Sequence, residues 1–198
     1  DLMASYTWTR SRSAANGGSS VAKSNWTYQY TYRDCNDLEV GNSAYNVPHR
    51  IQASAYYHIK YGHQKQWQTT LGVIYQGKSG SPYTYYYYGD VNEDGSKGND
   101  LFYIPTDAQI DKMRFEETKY NKNTFTNRMF GDNHGDKLTE EMQREMLKKW
   151  IADDSYLSKH RGEYYERYAD NLAFEHHFDV HFGQKFSFKV AGQINSIE

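Results

Sequence analysis

The chain has one cysteine, three prolines and no long apolar run. A single thiol, Cys35, excludes an internal disulfide. Its neighbours Asp34, Asn36 and Asp37 offer no cation to activate it, so it reads as a passive loop thiol. Without about 20 consecutive apolar residues there is no membrane helix. A membrane β-barrel stays open, because its strands are short and alternate. Positive charge is not in excess either. Lys and Arg number 23 against 25 Asp and Glu, a net charge of -2, which gives no electrostatic case for nucleic acid. No leader-like segment opens the chain, since Asp1 runs straight into an alternating stretch. A mature form, or a piece of a longer chain, is expected. Hydrophobic residues make up 37 %, below the ~45–50 % usual for a self-contained core.

What the chain has in quantity is tyrosine, 20 residues within an aromatic content of 17 %. Rings with a wet tip and an apolar body suit interfaces, including those of membranes. A tyrosine-rich soluble β protein that binds sugar or peptide would share this composition.

Residues 67–76 set the pattern. Trp67, Thr69, Leu71, Val73 and Tyr75 share one face, and Gln68, Thr70, Gly72, Ile74 and Gln76 the other. That period of two predicts a strand with one apolar face. The same alternation runs through residues 2–12, with Leu2, Ala4, Tyr6 and Trp8 on one side. It returns after Pro48, where Ile51, Ala53, Ala55, Tyr57 and Ile59 alternate with Gln52, Ser54, Tyr56, His58 and Lys60. Residues 50–76 therefore predict an antiparallel hairpin with a tight turn at Gly62–Gln64 on the periplasmic side. Residues 174–182 and 186–191 predict two more strands, with a turn at Gly183, Gln184 and Lys185. Residues 13–24 read as a flexible loop, and 26–33 as an aromatic strand or a structured part of that loop. Short turns at one rim and long loops at the other are the habit of outer-membrane barrels.

Residues 106–171 are polar and largely non-strand. One helix stands out at 139–151, with Thr139 as N-cap, Glu140 and Glu141 in the first turn, and Lys148 and Lys149 near the end. Met142, Met146, Leu147, Trp150 and Ile151 form its apolar stripe. A second, short helix is expected within 107–115. So long an excursion between strands suggests a functional loop, packed through Met142, Met146 and Trp150 rather than set in lipid.

Two sites follow from residue chemistry. Asp90, Asn92 and Asp94 stand at positions one, three and five of an EF-hand-like loop, with Gly95 at the sharp-turn position. With Asp100 they are candidate ligands for Ca²⁺. Position twelve is Leu101 rather than Glu, so the usual bidentate ligand is missing. The alternative is an Asx-rich turn whose side-chain oxygens cap its own amides. Tyr85, Tyr86, Tyr87 and Tyr88 are candidates for stacking on a ligand, or for an aromatic girdle. His177, Asp179 and His181 line one strand face about 7 Å apart, too far to share a metal, and read as polar lumen residues. No nucleophile and base can be paired by spacing, so no enzyme is expected.

Larger segments carry a family resemblance. They are NVPHR at 46–50, YQGKSGSPYTY at 75–85, GDVNEDGSKGNDLFYIP at 89–105, YLSKHRGEYYERY at 156–168 and FEHHFDVHFGQKF at 174–186. In this order they resemble the C-terminal barrel region of TonB-dependent outer-membrane transporters. The similarity is to the large receptors with a carboxypeptidase-regulatory-like extension, related to the SusC-like importers. The resemblance implies an all-β fold: antiparallel strands of a 22-stranded barrel, with 106–171 as an extracellular loop containing a helix. It implies energy-coupled import of a large nutrient, a glycan, peptide or chelate. The partners implied are outer-membrane lipid, the rest of the barrel and its plug, the TonB complex and a surface lipoprotein. Five or six strands are too few to close a barrel, so the chain is expected to be part of a longer receptor. The competing class is a secreted or surface β-rich binding module with a calcium-ordered loop. The apolar strand faces discriminate. Ile51, Ala53, Ala55, Tyr57, Ile59, Leu71 and Val73 face lipid in a barrel and a core in a sandwich.

Overall fold

A computed structural model of the chain describes residues 1–63, 65–119 and 137–197. The backbone groups into two compact units. One comprises Asp1–Arg12, Ala44–Pro82 and Asn171–Glu198; the other comprises Ser13–Ser43 and Tyr83–Asp170.

The first unit is an antiparallel sheet. Its strands are β1 (Leu2–Trp8), β2 (His49–Tyr61), β3 (Trp67–Lys78), β4 (Glu175–Val190) and β5 (Gln193–Ile197), adjacent in that order. The register aligns one apolar face across the sheet. Ala53 pairs with Tyr75 and Tyr75 with Phe178; Ala55 with Val73 and Val73 with Val180; Tyr57 with Leu71 and Leu71 with Phe182. No core covers this face among the described residues: Val180 is 80 % exposed, Phe182 68 % and Leu71 44 %. Aromatic pairs close the band at both ends, Tyr75 with Phe178 at 4.9 Å and Trp67 with Phe186 at 4.4 Å between ring centroids. Eight residues separate Tyr75 from Trp67, about 27 Å along the strand, or about 21 Å of height at a barrel's tilt of 35–45°. An apolar band of that height between two aromatic collars is what a bilayer-facing sheet carries. The opposite face is mostly polar, with Gln52, Ser54, His58, Thr70, Gln76, His177, Asp179 and His181 beside Tyr56 and Ile74. A soluble sandwich would bury the apolar face; here it is exposed, as a bilayer-facing sheet requires.

Connection lengths split by end. Tyr61 pairs with Trp67 and Val190 with Gln193, so both short turns lie at one end of the sheet. Trp8 pairs with His49 and Glu175 with Lys78, so both long connections leave from the other. In the first short turn Gly62 and Lys65 take positive φ, and the Lys65 amide donates to the Gly62 carbonyl at 3.1 Å. Gln64, part of the expected turn, lies outside the described residues.

The expected turn at Gly183, Gln184 and Lys185 does not form. β4 runs unbroken through it, because Gly183, Gln184 and Lys185 pair with Thr70, Thr69 and Gln68 of β3. Continuing the ladder satisfies backbone groups that a turn here would strand at an apolar face. The chain instead reverses at Ala191 and Gly192, with φ of 50° and 84°, the two positive-φ positions of a two-residue hairpin. That reversal adds β5, a strand the sequence pattern did not indicate.

The second unit is built differently. Among the described residues its α-helices are α1 (Ala22–Thr27), α2 (Asp107–Ile110) and α3 (Glu140–Asp153). Thr106 caps α2 through a capping box with Gln109, and the Thr139 hydroxyl accepts from the Met142 amide to start α3. Ile104, Ile110, Ile151, Leu157 and Tyr165 are fully buried together, with Tyr85, Leu147 and Trp150 packed against them. Ile151, Leu147 and Trp150 therefore do the work of the α3 stripe, while Met142 and Met146 are half-buried outside that cluster. Residues 120–136 of the expected excursion lie outside the described residues. The unit begins at Tyr83 rather than 106 and also takes in 13–43. Arg167 ties the two segments together, donating to the carbonyls of Ser13, Ala14 and Glu39. Gly41 leaves room for it, since a Cβ there would stand 2.7 Å from Arg167 Nε. The stretch 26–33 is a structured part of the loop rather than a strand. Trp26 lies in α1, and Thr31 bridges Asp100 in parallel.

Candidate functional site

Two concave features carry polar chemistry. One belongs to the sheet. On its polar face Arg50, Gln52, Gln76, Lys78, His177 and Asp179 line a hollow of about 470 Å³, at the end from which the long connections leave. Glu175 sits beside it, 3.1 Å from Lys78 Nζ and 4.0 Å from His177 Nε2. The alternation puts these side chains together: every second residue of β2, β3 and β4 faces the same way. His177 and Asp179 thus occupy the polar face expected of them. His181 lies further along it, with its ring 6.3 Å from Tyr56.

The other feature belongs to the second unit. It combines the acidic loop with an aromatic cleft of about 460 Å³ lined by Tyr32, Arg33, Tyr87, Asn92, Asp100 and Tyr164, among others. Tyr32 and Tyr164 stack at 4.7 Å, and Tyr103 meets Tyr164 edge-on at 5.1 Å. Arg33 lies over the Tyr32 ring at 5.2 Å and pairs with Asp37 and Glu39. The hydrogen bond to Asp37, then that to Tyr32, raises the Arg33 pKa. It stays a cation at any physiological pH.

The tyrosine run alternates in and out. Tyr85 is packed into the core, edge-on to Trp150 at 5.1 Å and to Tyr165 at 5.2 Å. Tyr86 pairs with Leu101 and meets Tyr30 at 5.0 Å. Tyr87 is half-buried, lines the cleft, and has its phenol pKa raised chiefly by burial. Tyr88 is 89 % exposed. Of the four, Tyr87 is the one the fold brings to the cleft. Tyr32, Arg33, Tyr103 and Tyr164 come from separate stretches with no shared spacing, so the sequence pattern did not single them out.

The acidic loop winds tightly on itself. Asp90 accepts from the amides of Asp94 and Gly95, each at 3.1 Å. Asn92 Oδ1 accepts from the Asp94 amide at 3.0 Å, and Asp94 Oδ1 from the Ser96 amide at 2.8 Å. Gly95 takes a φ of 83°, which its missing Cβ permits. The oxygens expected to meet a cation thus cap the loop's own amides as well. Among the described residues no three Asp, Glu, His or Cys side chains form a ready-made metal cage.

The loop has a buried anchor. Asp94 Oδ2 accepts from the Cys35 amide and thiol, each at 3.1 Å, and from the side-chain amides of Asn92 and Asn99. Burial alone would raise the Asp94 pKa; these donors outweigh it and hold the carboxyl below its usual value. The Cys35 thiol moves the other way, up to about 11, through burial first and the Asp94 carboxylate second. Cys35 is therefore a protonated, buried donor that fixes the loop.

The comparisons place this fold. A family model described as an outer membrane beta barrel domain matches residues 1–172. The chain belongs to that family. It is thus an outer-membrane β-barrel protein of bacteria, and its sheet is part of such a barrel. The match spans β1 to β3 and the whole second unit. No curated protein and no solved structure matches the chain.

Proposed function

We propose that this chain is part of an energy-coupled outer-membrane receptor that imports a nutrient too large for a porin: a glycan, a peptide or a chelate. One observation carries the reading. Where a simple barrel has loops, this chain builds a folded unit with its own buried core and an aromatic cleft, fed by connections from a single end of the sheet. A core of fully buried isoleucine, leucine and tyrosine is more than a pore needs; it holds a recognition surface in place. Tyr32, Tyr87, Tyr103 and Tyr164 offer ring surface, and Arg33 and Asn92 offer polar groups for hydroxyl, amide or carboxylate. The unit sits on the extracellular side and the short turns on the periplasmic side, following the habit of bacterial barrels. The polar hollow at Arg50, Gln52 and His177 lies on the lumen side of the sheet. A plug, the TonB complex and a surface lipoprotein complete the receptor in this reading, which assigns capture and passage rather than catalysis.

Uptake in whole cells tests it. Cells carrying the gene and cells deleted for it are compared for growth on single glycans, peptides and metal chelates. A protonophore, or loss of the inner-membrane energy complex, abolishes the gene-dependent uptake. Gene-dependent uptake that survives the protonophore would make the protein a passive channel and end the proposal.

A further inference from the structure

The acidic loop holds two oxygens that the fold leaves without a partner. Asn99 is fully buried and Asp100 is 2 % exposed. Among the described residues nothing donates to their Oδ1 atoms. Each side chain reaches the loop through its other polar atom. Asp100 Oδ2 accepts from the backbone amides of Val91 and Asn92, which sets the whole carboxylate against the loop's first turn. Asn99 Nδ2 donates to Cys35 Sγ at 3.3 Å and to Asp94 Oδ2 at 3.5 Å, which brings its amide group to the loop's buried carboxylate.

Charge sharpens the point. Asp90, Asp94 and Asp100 fall within eleven residues, none of the three is exposed, and no Lys or Arg forms an ion pair with them among the described residues. Buried carboxylates are normally paired or bound to a metal, because an unpaired buried charge is costly.

We infer that the 90–100 loop binds one Ca²⁺, held by side-chain oxygens of Asp90, Asn92 and Asp94 together with the unpartnered Oδ1 atoms of Asn99 and Asp100. The donor set is all oxygen, which selects a hard cation over zinc or copper. Cys35, protonated and hydrogen-bonded to Asp94, supplies no thiolate. Mixed carboxylate and amide oxygens on a flexible loop suit Ca²⁺ better than Mg²⁺, which demands a rigid octahedron. The cage is not preformed, so the loop closes on the ion, and the missing twelfth-position Glu keeps the affinity low. A Kd on the order of 10⁻⁴–10⁻³ M is expected, the range of extracellular modules. The role is structural. Closing the loop fixes Asn92 and Asp100 in the wall of the aromatic cleft. The inference stands on the loop alone and does not depend on what the receptor carries.

The intact protein in detergent, stripped with chelator, is titrated with Tb³⁺ while tyrosine is excited; Tyr86 and Tyr87 are near enough to sensitise the ion. Tyrosine-sensitised emission appears and Ca²⁺ displaces it, while equal Mg²⁺ does not. In parallel, Ca²⁺ at ten times Kd raises the melting temperature of the second unit by about 3–5 °C. Asp100→Asn keeps the shape and removes the charge. It loses the Ca²⁺ response. Asp179→Asn on the sheet keeps the full response. A wild type with neither Tb³⁺ emission nor a Ca²⁺ shift overturns the inference. So does a Ca²⁺ response that survives Asp100→Asn.

Discussion

Leu71 stands midway along β3, four residues from the Trp67 collar and four from Tyr75. At about 3.4 Å per residue and a barrel tilt near 40°, each collar is about 10 Å away in height. Leu71→Arg therefore puts a guanidinium at the centre of the apolar band, where the cost is ~2–4 kcal/mol. That is a shift of roughly 30- to 700-fold in the folding equilibrium. Val73→Arg sits two residues nearer a collar, about 5 Å off centre. Its neighbourhood is matched, since Leu71 is 44 % and Val73 45 % exposed, but its cost falls to about half. Thr70→Arg, next to Leu71 on the opposite face, gives up one hydrogen bond to His58 and gains access to water. It costs under ~1 kcal/mol. Urea unfolding of the protein refolded into lipid vesicles, followed by the mobility shift of heated and unheated samples on gels, reads all three. Equal costs for Leu71→Arg and Thr70→Arg, or no gradient from Leu71 to Val73, would refute the assignment of the apolar face to lipid.

Gly72→Ala drives a Cβ to within 2.5 Å of the Tyr56 ring, so it destabilises the sheet by ~1–3 kcal/mol in the same urea assay, and Tyr56→Ala in the same chain relieves most of it. Ile151→Ala, at a fully buried position, costs the second unit ~2–4 kcal/mol and shows as faster proteolysis of that unit in the purified protein. The Cys35 pKa is raised in the fold, so the folded state holds its proton more tightly. The stability this contributes is complete below about pH 9 and is lost as pH rises towards about 11, readable by thermal melts across that window. His63→Cys, in the short turn, resists an impermeant thiol reagent on intact cells; efficient labelling there would reverse the orientation.

The sheet was legible because both of its environments are chemically uniform. Lipid on one side and water on the other leave a period of two in every strand, and β1, β2 and β3 all appear where the alternation puts them. The error at Gly183, Gln184 and Lys185 has the same root. Glycine and two polar residues mimic a turn, yet Gln184 lies among side chains that want it: Thr69 and Tyr61 both donate to its carbonyl oxygen, at 2.7 and 3.2 Å. The true turn uses Ala191 in a left-handed conformation, a choice no residue pattern announces. Strand continuity here is set by a ladder with residues more than a hundred positions away.

The second unit resisted reading for a different reason. Its order is non-local. The segment 13–43 is rich in Ser, Asn and Gly, and by composition alone it is a loop. What fixes it is Arg167 at its carbonyls and Thr31 exchanging hydrogen bonds with Asn99 and Leu101. The acidic loop lies between those extremes. Its spacing announced Asp90, Asn92, Asp94 and Gly95, and the fold winds them as the spacing requires. Spacing could not announce Cys35, whose amide and thiol reach Asp94 from 59 residues away, or that Asn99 would be wholly buried beside it. A short motif records the local half of a site, because side chains two apart on a tight turn converge whatever surrounds them. The distant half depends on packing, and packing turns a solvated acidic turn into a shielded one. That difference decides the chemistry. The same carboxylates facing water would need no partner, while Asp100, 2 % exposed and in no ion pair with a Lys or Arg among the described residues, keeps an oxygen that nothing in the described fold satisfies.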